Sequence, residues 1–150
     1  MHASIRLNDY NQNVGENLTP RELTAVLKAT ADETRLKMLA LLLEQPELCV
    51  CHFEQILEIT QSKASRHLRY LSNARLVDDR REGVWMHYRL ADEMGPERRV
   101  ILDAIRASMS ETSLDELRQK LAASPGATPT SQGGCCAPNR SLPAERPVIA

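Results

Sequence analysis

Aromatic side chains are scarce in this 150-residue chain: one Phe, one Trp and three Tyr, 3% of the residues. A core must therefore be built from Leu, Ala, Ile, Val and Met, a palette that favours helices over an extensive sheet. Long apolar runs are missing as well. The longest, "MLALLL", has six residues, whereas a membrane-spanning helix needs about 20. The opening stretch "MHASIRLNDYNQNVGEN" holds no apolar segment of signal-peptide length. A cytoplasmic protein with no membrane association is expected. An excess of positive charge is absent too, the net charge being −1. That argues against attraction to nucleic acid by bulk charge, but a local basic face is still allowed, because the placement of charges decides. The four cysteines, in a reducing compartment, are expected to be thiols or ligands rather than structural disulfides.

The length fits one domain with tails. Residues 1–17 are polar and irregular and read as a flexible arm. Residues 18–123 carry a mostly helical pattern. The last 27 residues, 124–150, hold five of the eight prolines and three of the six glycines. Such a segment cannot bury enough apolar surface to offset the ordering of its backbone. It reads as a disordered tail carrying Cys135 and Cys136.

Within the folded part, "LTPRELTAVLKAT" opens like a helix. Thr19 can cap it, Pro20 suits the first turn and Glu22 completes a capping box; Leu23, Val26, Leu27 and Thr30 mark a buried side. "DETRLKMLALLLEQ" follows, capped by Asp32, with the stripe Leu36, Leu39, Ala40 and Leu43, and stopped at Pro46. "CVCHFEQILEI" is a short helix with Phe53, Ile56 and Leu57 inward. After a polar connection, "TQS", comes "KASRHLRYLSNARL", where Ala64, Leu68 and Leu71 share one face. Two short amphipathic helices so joined match a helix-turn-helix.

The period then changes from helical to alternating. In "VWMHYRL", Val84, Met86, Tyr88 and Leu90 alternate with Trp85, His87 and Arg89, the pattern of a half-buried strand. "LVDDRR" before it and a turn at Glu82-Gly83 make a β-hairpin. Helices over about 97–108 and 114–122 complete the domain, the first with Val100, Ile101, Ala104 and Ile105 as an apolar seam. The expected architecture is mainly α with a β-hairpin wing, a winged helix-turn-helix.

Charge concentrates where such a fold would meet DNA. Residues 62–90 hold seven cations, Lys63, Arg66, Arg69, Arg75, Arg80, Arg81 and Arg89, against the three acids Asp78, Asp79 and Glu82. That leaves +4 on a chain whose total is −1. Side chains at the N-terminal end of a recognition helix reach base edges. Gln61, Ser62, Lys63, Ser65 and Arg66 fit that role, with His67 and Arg69 further along. Gln pairs with adenine, and Arg or Lys with guanine. Arg80 and Arg81, placed at the hairpin tip, suit phosphate or minor-groove contact.

The segments "LKATADETRLKMLALL", "ELCVC", "ITQSKASRHLRYLSNARLV" and "REGVWMHYRL" resemble the ArsR family of bacterial metal-responsive repressors. The match runs from about Leu23 to Leu90, and Ser62, Ser65, His67 and Leu68 reproduce an S-x-x-S-x-H-L pattern on the recognition helix. The resemblance implies a winged-helix homodimer, with an interface from the first and last helices. It also implies a palindromic double-stranded DNA operator and release of that DNA when metal binds. His67 can equally pack or cap.

"ELCVC" is similar to the arsenic- and cadmium-sensing members. The arsenic motif continues as C-V-C-D-L-C, whereas this chain reads Cys49-Val50-Cys51-His52-Phe53-Glu54. The third thiol is missing, and His52 reads most simply as an exposed helix residue. The cadmium and lead type adds cysteines from an N-terminal arm, and this arm has none. The zinc type uses Asp and His on the last helix, and residues 97–122 contain no histidine.

Thiolates select soft ions, and a helix start favours the thiolate. Residues i and i+2 of a formed helix do not face each other, so one ion gripping both Cys49 and Cys51 would distort the first turn. Cys135 or Cys136 could complete a three-sulfur site in the same or the partner subunit. Cys135 stands 12 residues beyond Ala123, a flexible span of roughly 19 Å on average and on the order of 40 Å when extended.

As(III) or Sb(III), which prefer three thiolates, are the leading inducers of an arsenical-resistance repressor. The alternatives are a cadmium- or lead-responsive repressor of the same family and a winged-helix regulator that senses oxidation through a disulfide. A small thiol enzyme is disfavoured: the C-x-x-C on an α/β pattern and an acid/base set are both missing.

Overall fold

The computed structural model describes residues 17–124. The N-terminal arm up to residue 16 and the tail with Cys135 and Cys136 lie outside the described residues. Among the described residues the order is α1 (Pro20–Thr30), α2 (Glu33–Glu44), β1 (Leu48–Cys49), α3 (Val50–Leu57), α4 (Gln61–Asn73), β2 (Val77–Glu82), β3 (Trp85–Leu90), α5 (Pro96–Ser108) and α6 (Glu111–Ala123). This is the mainly α, winged helix-turn-helix arrangement expected from the pattern.

Local signals explain the helix starts. The Thr19 hydroxyl accepts the Glu22 N–H at 3.3 Å, and the Glu22 carboxylate accepts the Thr19 N–H at 2.9 Å. The capping box thus satisfies two N–H groups that a helix start leaves open. Asp32 caps α2 by accepting the Arg35 N–H at 2.9 Å. Thr60 caps α4 through Lys63 N–H at 3.3 Å, so Gln61 and Ser62 belong to the first turn of that helix and not to the connection before it.

Burial departs from the expected stripes in three helices. In α1 it is Val26, Ala29 and Thr30 that are buried, while Leu23 and Leu27 are 39% and 51% exposed. The helix offers α2 and α4 a narrow strip, and these two leucines lie beyond its edge. Helix α2 buries Met38, Leu39, Ala40, Leu41 and Leu42 in succession, because α1, α3, α4, α5, α6 and β3 all pack around it. A helix enclosed on all sides loses its one-sided pattern. In α5 the buried residue is Leu102. Of the expected seam, Val100 and Ala104 are exposed and Ile101 and Ile105 half-buried.

The hairpin has the expected strands and a shifted turn. Glu82 pairs with Trp85, so the two loop residues are Gly83 and Val84. Gly83 has φ +62 at the first loop position, where a type II′ hairpin turn needs a positive φ. Val84 therefore leaves the strand and is 79% exposed.

A third strand joins the wing, and the sequence pattern did not reveal it. Leu48 and Cys49 pair antiparallel with Tyr88 and His87, which gives a sheet of order β1-β3-β2. Leu48 and Tyr88 face the core, where Tyr88 meets Phe53 edge-on, with ring centroids 6.4 Å apart. The wing is thereby fastened to the segment that leads into α3.

Candidate nucleic-acid interface and thiol centre

Helices α3 and α4 meet through a tight reversal. Glu58 adopts the left-handed conformation, φ 55 and ψ 44, and its N–H bonds the Glu54 carbonyl. Ile59 N–H bonds the same carbonyl at 3.2 Å. These bonds satisfy the end of α3 and turn the chain into α4. Ala64, Leu68 and Leu71 then anchor α4 in the core.

The opposite face of α4 is polar. Gln61, Ser62, Lys63, Arg66 and Arg69 are exposed, and Ser65 is half-buried. The N-terminal end of a helix carries partial positive charge and outward N–H groups. With Lys63 and Arg66 beside it, that end offers an anion-binding surface edged with hydrogen-bond donors and acceptors. In the wing, Arg81 is exposed and its Nε donates to the Gly83 carbonyl at 3.0 Å.

Arg80 is not at the hairpin tip. It pairs with His87 in register, two residues before the last pair of the hairpin. Its Nη2 and Nε donate to the Glu47 carboxylate at 2.6 and 3.3 Å, and Nη1 lies 3.1 Å from Glu82. The guanidinium beside Glu47 also holds that carboxyl below the usual carboxylate range. Arg80 is thus engaged within the protein, which the sequence pattern did not indicate.

His67 does not project outward. Its side chain is 16% exposed, with Nδ1 3.4 Å from Arg35 Nη1 and 3.7 Å from Asp32 Oδ1. Burial lowers its pKa, against the pull of Asp32. Neutral His67 accepts from Arg35, and the distance to Asp32 is too long for a hydrogen bond. Arg35 itself donates to the Ala29 and Lys28 carbonyls at 2.6 and 3.0 Å. Its guanidinium carbon lies 4.4 Å from the centroid of the Tyr70 ring. One arginine therefore ties the C-terminal end of α1 to two residues of α4. The sequence reading missed this role, whose only trace is a basic residue in the first turn of a helix with an apolar centre.

The thiol segment is built inward. Cys49 is 1% exposed and serves as the N-cap of α3. Burial raises its pKa, while the N–H groups of Cys51 and Val50, aimed at the sulfur, act in the opposite sense. The expected thiolate preference at a helix start is therefore outweighed at Cys49 by desolvation. Cys51 is half-buried, packs against the core and is disulfide-bonded, which corrects the expectation that the cysteines are thiols throughout. His52 is buried, 4% exposed, which corrects its reading as an exposed helix residue. Its Nδ1 accepts the Cys49 N–H at 3.0 Å, so its place is structural: it satisfies the backbone at the very residue that carries the thiol.

Among the described residues no three His, Cys, Asp or Glu side chains converge to hold a metal ion. Cys49 and Cys51 are the cysteines among the described residues. The two other thiols singled out by the sequence, Cys135 and Cys136, fall outside the described residues.

Residues 32–79, from the cap of α2 into the first strand of the wing, match the family model described as "Bacterial regulatory protein, arsR family". The arsenical resistance operon repressor of Bacillus subtilis is 40% identical over 73 residues, 49% of this chain and 70% of that repressor. This chain belongs to the ArsR family. The arsenic resistance transcriptional regulator ArsR1 of Pseudomonas putida is 46% identical over 79 residues, which cover 53% of this chain and 59% of that regulator. The match thus spans less than two thirds of that relative's length.

Among solved structures, the chain is similar to a homodimeric winged helix-turn-helix DNA-binding domain from Mycobacterium bovis, a possible ArsR-family transcriptional regulator. The identity is 26%, the TM-score 0.50, and the coverage 62% of this chain and 88% of that one. These ArsR-family relatives are regulators and not enzymes, in line with the reading of the sequence.

Proposed function

We propose that this ArsR-family chain is a transcriptional repressor. Residues 18–123 form its DNA-binding and dimerisation domain, acting as a homodimer on a palindromic operator in the cytoplasm. Trivalent arsenic, or antimony, bound by cysteine thiols releases the DNA. The observation that carries this reading is the double position of Cys49. It is the last residue of β1, in register with His87 of the wing, and also the N-cap of α3, the first helix of the helix-turn-helix. A ligand that rearranges Cys49 acts on both elements that face DNA.

Gln61, Ser62, Lys63, Ser65 and Arg66 read the operator bases. Arg69 and Arg81 contact phosphate, and His67 holds α4 in position from behind. The names of the two curated relatives, both arsenic-resistance regulators, support a metalloid as inducer.

Arsenite exchanges one hydroxide for each thiol and releases water, so three thiols make three As–S bonds. In the reduced protein Cys49 and Cys51 provide two, and Cys135 or Cys136 the third. Cys49 caps α3 from outside it and Cys51 lies in its first turn, so drawing both thiols onto one ion strains and unwinds that turn. A homodimer agrees with the exposed Leu23, Leu27 and Val100 on α1 and α5, side chains that a partner would cover. No helix of the described residues is long and apolar enough to cross a membrane.

Fluorescence anisotropy with the upstream promoter fragment tests this proposal. The reduced protein should bind, and arsenite or antimonite should release it. Cys49→Ser and Cys51→Ser should bind DNA and no longer be released, and the Cys135→Ser/Cys136→Ser pair should lose most of the response. Failure of the reduced protein to bind any operator fragment would sink the repressor. Release by cadmium or lead in place of arsenite changes the inducer, and release by mild oxidation alone changes the mechanism to a redox switch.

A further inference from the structure

The sheet register places Cys49, His87 and Arg80 in one lateral row, since Cys49 pairs with His87 and His87 with Arg80. Residues opposite one another on neighbouring strands project to the same face. Glu47, two residues before Cys49, spans this row from its open end. Its carboxylate takes two hydrogen bonds from Arg80, at 2.6 and 3.3 Å, and stands 3.4 Å from His87 Nδ1. Strand β1 has only two residues, so its backbone bonds alone hold the thiol segment to the wing weakly.

A two-point Arg–carboxylate contact is directional as well as attractive, and this one reaches past the central strand to the outer one. It also explains why Arg80 turns back toward the body of the protein, with Glu47 and Glu82 both on its guanidinium. A cation that serves DNA directly would be expected to point away from two carboxylates.

We infer that Glu47 is the positioning residue that couples the thiol segment to the wing, holding Arg80 so that a displacement of Cys49 is transmitted to β2 and β3. This rests on the proposed response at Cys49 and Cys51, and it assigns Arg80 to that linkage and not to DNA. In the ligand-free state the tie sets the wing at one angle to α4. When the start of α3 unwinds, Glu47 moves with it, the two-point contact breaks, and the wing loses its set position.

The test uses the full chain, with operator affinity read by anisotropy with and without arsenite, and arsenite binding read separately by the ultraviolet absorption of arsenic–sulfur bonds. Wild type, Glu47→Gln, Arg80→Gln, the double variant and the charge swap Glu47→Arg/Arg80→Glu are compared. Glu47→Gln should bind arsenite as wild type does, while the ratio of operator affinities without and with arsenite falls by about fivefold or more. Arg80→Gln should do the same, the double variant should lose no more than either single one, and the swap should recover part of the ratio.

An unchanged ratio in Glu47→Gln, or strictly additive losses in the double variant, overturns the coupling. If the wild type binds operator but no arsenite, the proposed inducer fails. The same four-way comparison of arsenite-free affinities then decides whether Glu47 and Arg80 act as one unit on the wing.

Discussion

Helix α4 turns its functional side chains outward, whereas the segment Glu47–His52 turns most of its own inward. On α4 the three residues Ala64, Leu68 and Leu71 fix the helix, and Gln61, Ser62, Lys63, Arg66 and Arg69 stay exposed to any partner. In the thiol segment Cys49 and His52 are buried, and only Glu47 and Cys51 are partly open. A surface proposed to read operator bases works by side chains that stay exposed. A segment that must convert ligand binding into movement works by being packed, because packed elements have discrete arrangements. Under the proposed function, the difference assigns affinity to one region and responsiveness to the other.

The sharpest way to break this comparison is to mutate each region and read both properties. Lys63→Ala/Arg66→Ala should weaken operator binding by roughly 100-fold, from the few kcal/mol that base-edge contacts supply. The arsenite response of whatever binding survives should be intact. Cys49→Ser should do the reverse, leaving operator affinity near wild type and removing its dependence on arsenite. Loss of operator binding in Cys49→Ser with the fold intact by circular dichroism would show that the regions are not separable.

A second comparison lies within the cations. Arg35 looks like a surface residue in the sequence but ends among two carbonyls, a histidine and a tyrosine ring, with its side chain 12% exposed. Arg35→Ala should cost about 2–3 kcal/mol in urea denaturation, the range for charged hydrogen bonds whose acceptors are left behind. Arg69→Ala, exposed on the same α4 that Arg35 supports, should change stability by less than about 0.5 kcal/mol. Equal effects would remove Arg35 from the scaffold.

The smallest expected effect is a pH dependence at His67. Its folded pKa lies below the ordinary histidine value because burial disfavours the cation. The unfolded chain therefore binds the proton more readily. Stability contributed by neutral His67 is present above about pH 6.5 and is lost as the pH falls below it. Asp32 and Glu47 have lowered carboxyl pKa values, so their losses come at more acidic pH and leave the window just below neutrality to histidine. The urea midpoint of wild type should decline between about pH 6.5 and 5, and His67→Gln should flatten that decline. An identical slope in the variant would place the pH dependence elsewhere.

Much of the fold was legible because its signals are local. The Thr19–Glu22 capping box, the Asp32 cap, the four-and-three spacing of Ala64, Leu68 and Leu71, and the alternation around Tyr88 all lie within a turn or a strand. The unread parts involve partners far along the chain. Strand β1 is too short to show alternation, and its existence depends on β3, some 40 residues away. His52 is a polar residue type between Cys51 and Phe53, and its burial follows from the core closing over α3. Leu23, Leu27 and Val100 carry the right residue type for a core and remain exposed in the single chain.

Of the candidate site, Gln61, Ser62, Lys63, Arg66 and Arg69 could be found from residue type and helical spacing alone, and they stand on the exposed face. Arg80 and His67 could not be assigned this way. The one turns back to Glu47 and the other to Arg35, and neither partner is near in sequence.

Helix starts, the helix-turn-helix, the wing and the two cysteines at its base were set by the order of side chains, because capping, periodicity and residue chemistry act over a few neighbours. Only the folded chain decided that Cys49 lies at the junction of wing and helix, that burial raises its pKa, and that Glu47 and Arg35 bind distant strands and helices together. Those outcomes depend on desolvation and on ion pairs between segments brought into contact by the core, and no local stretch of sequence contains them.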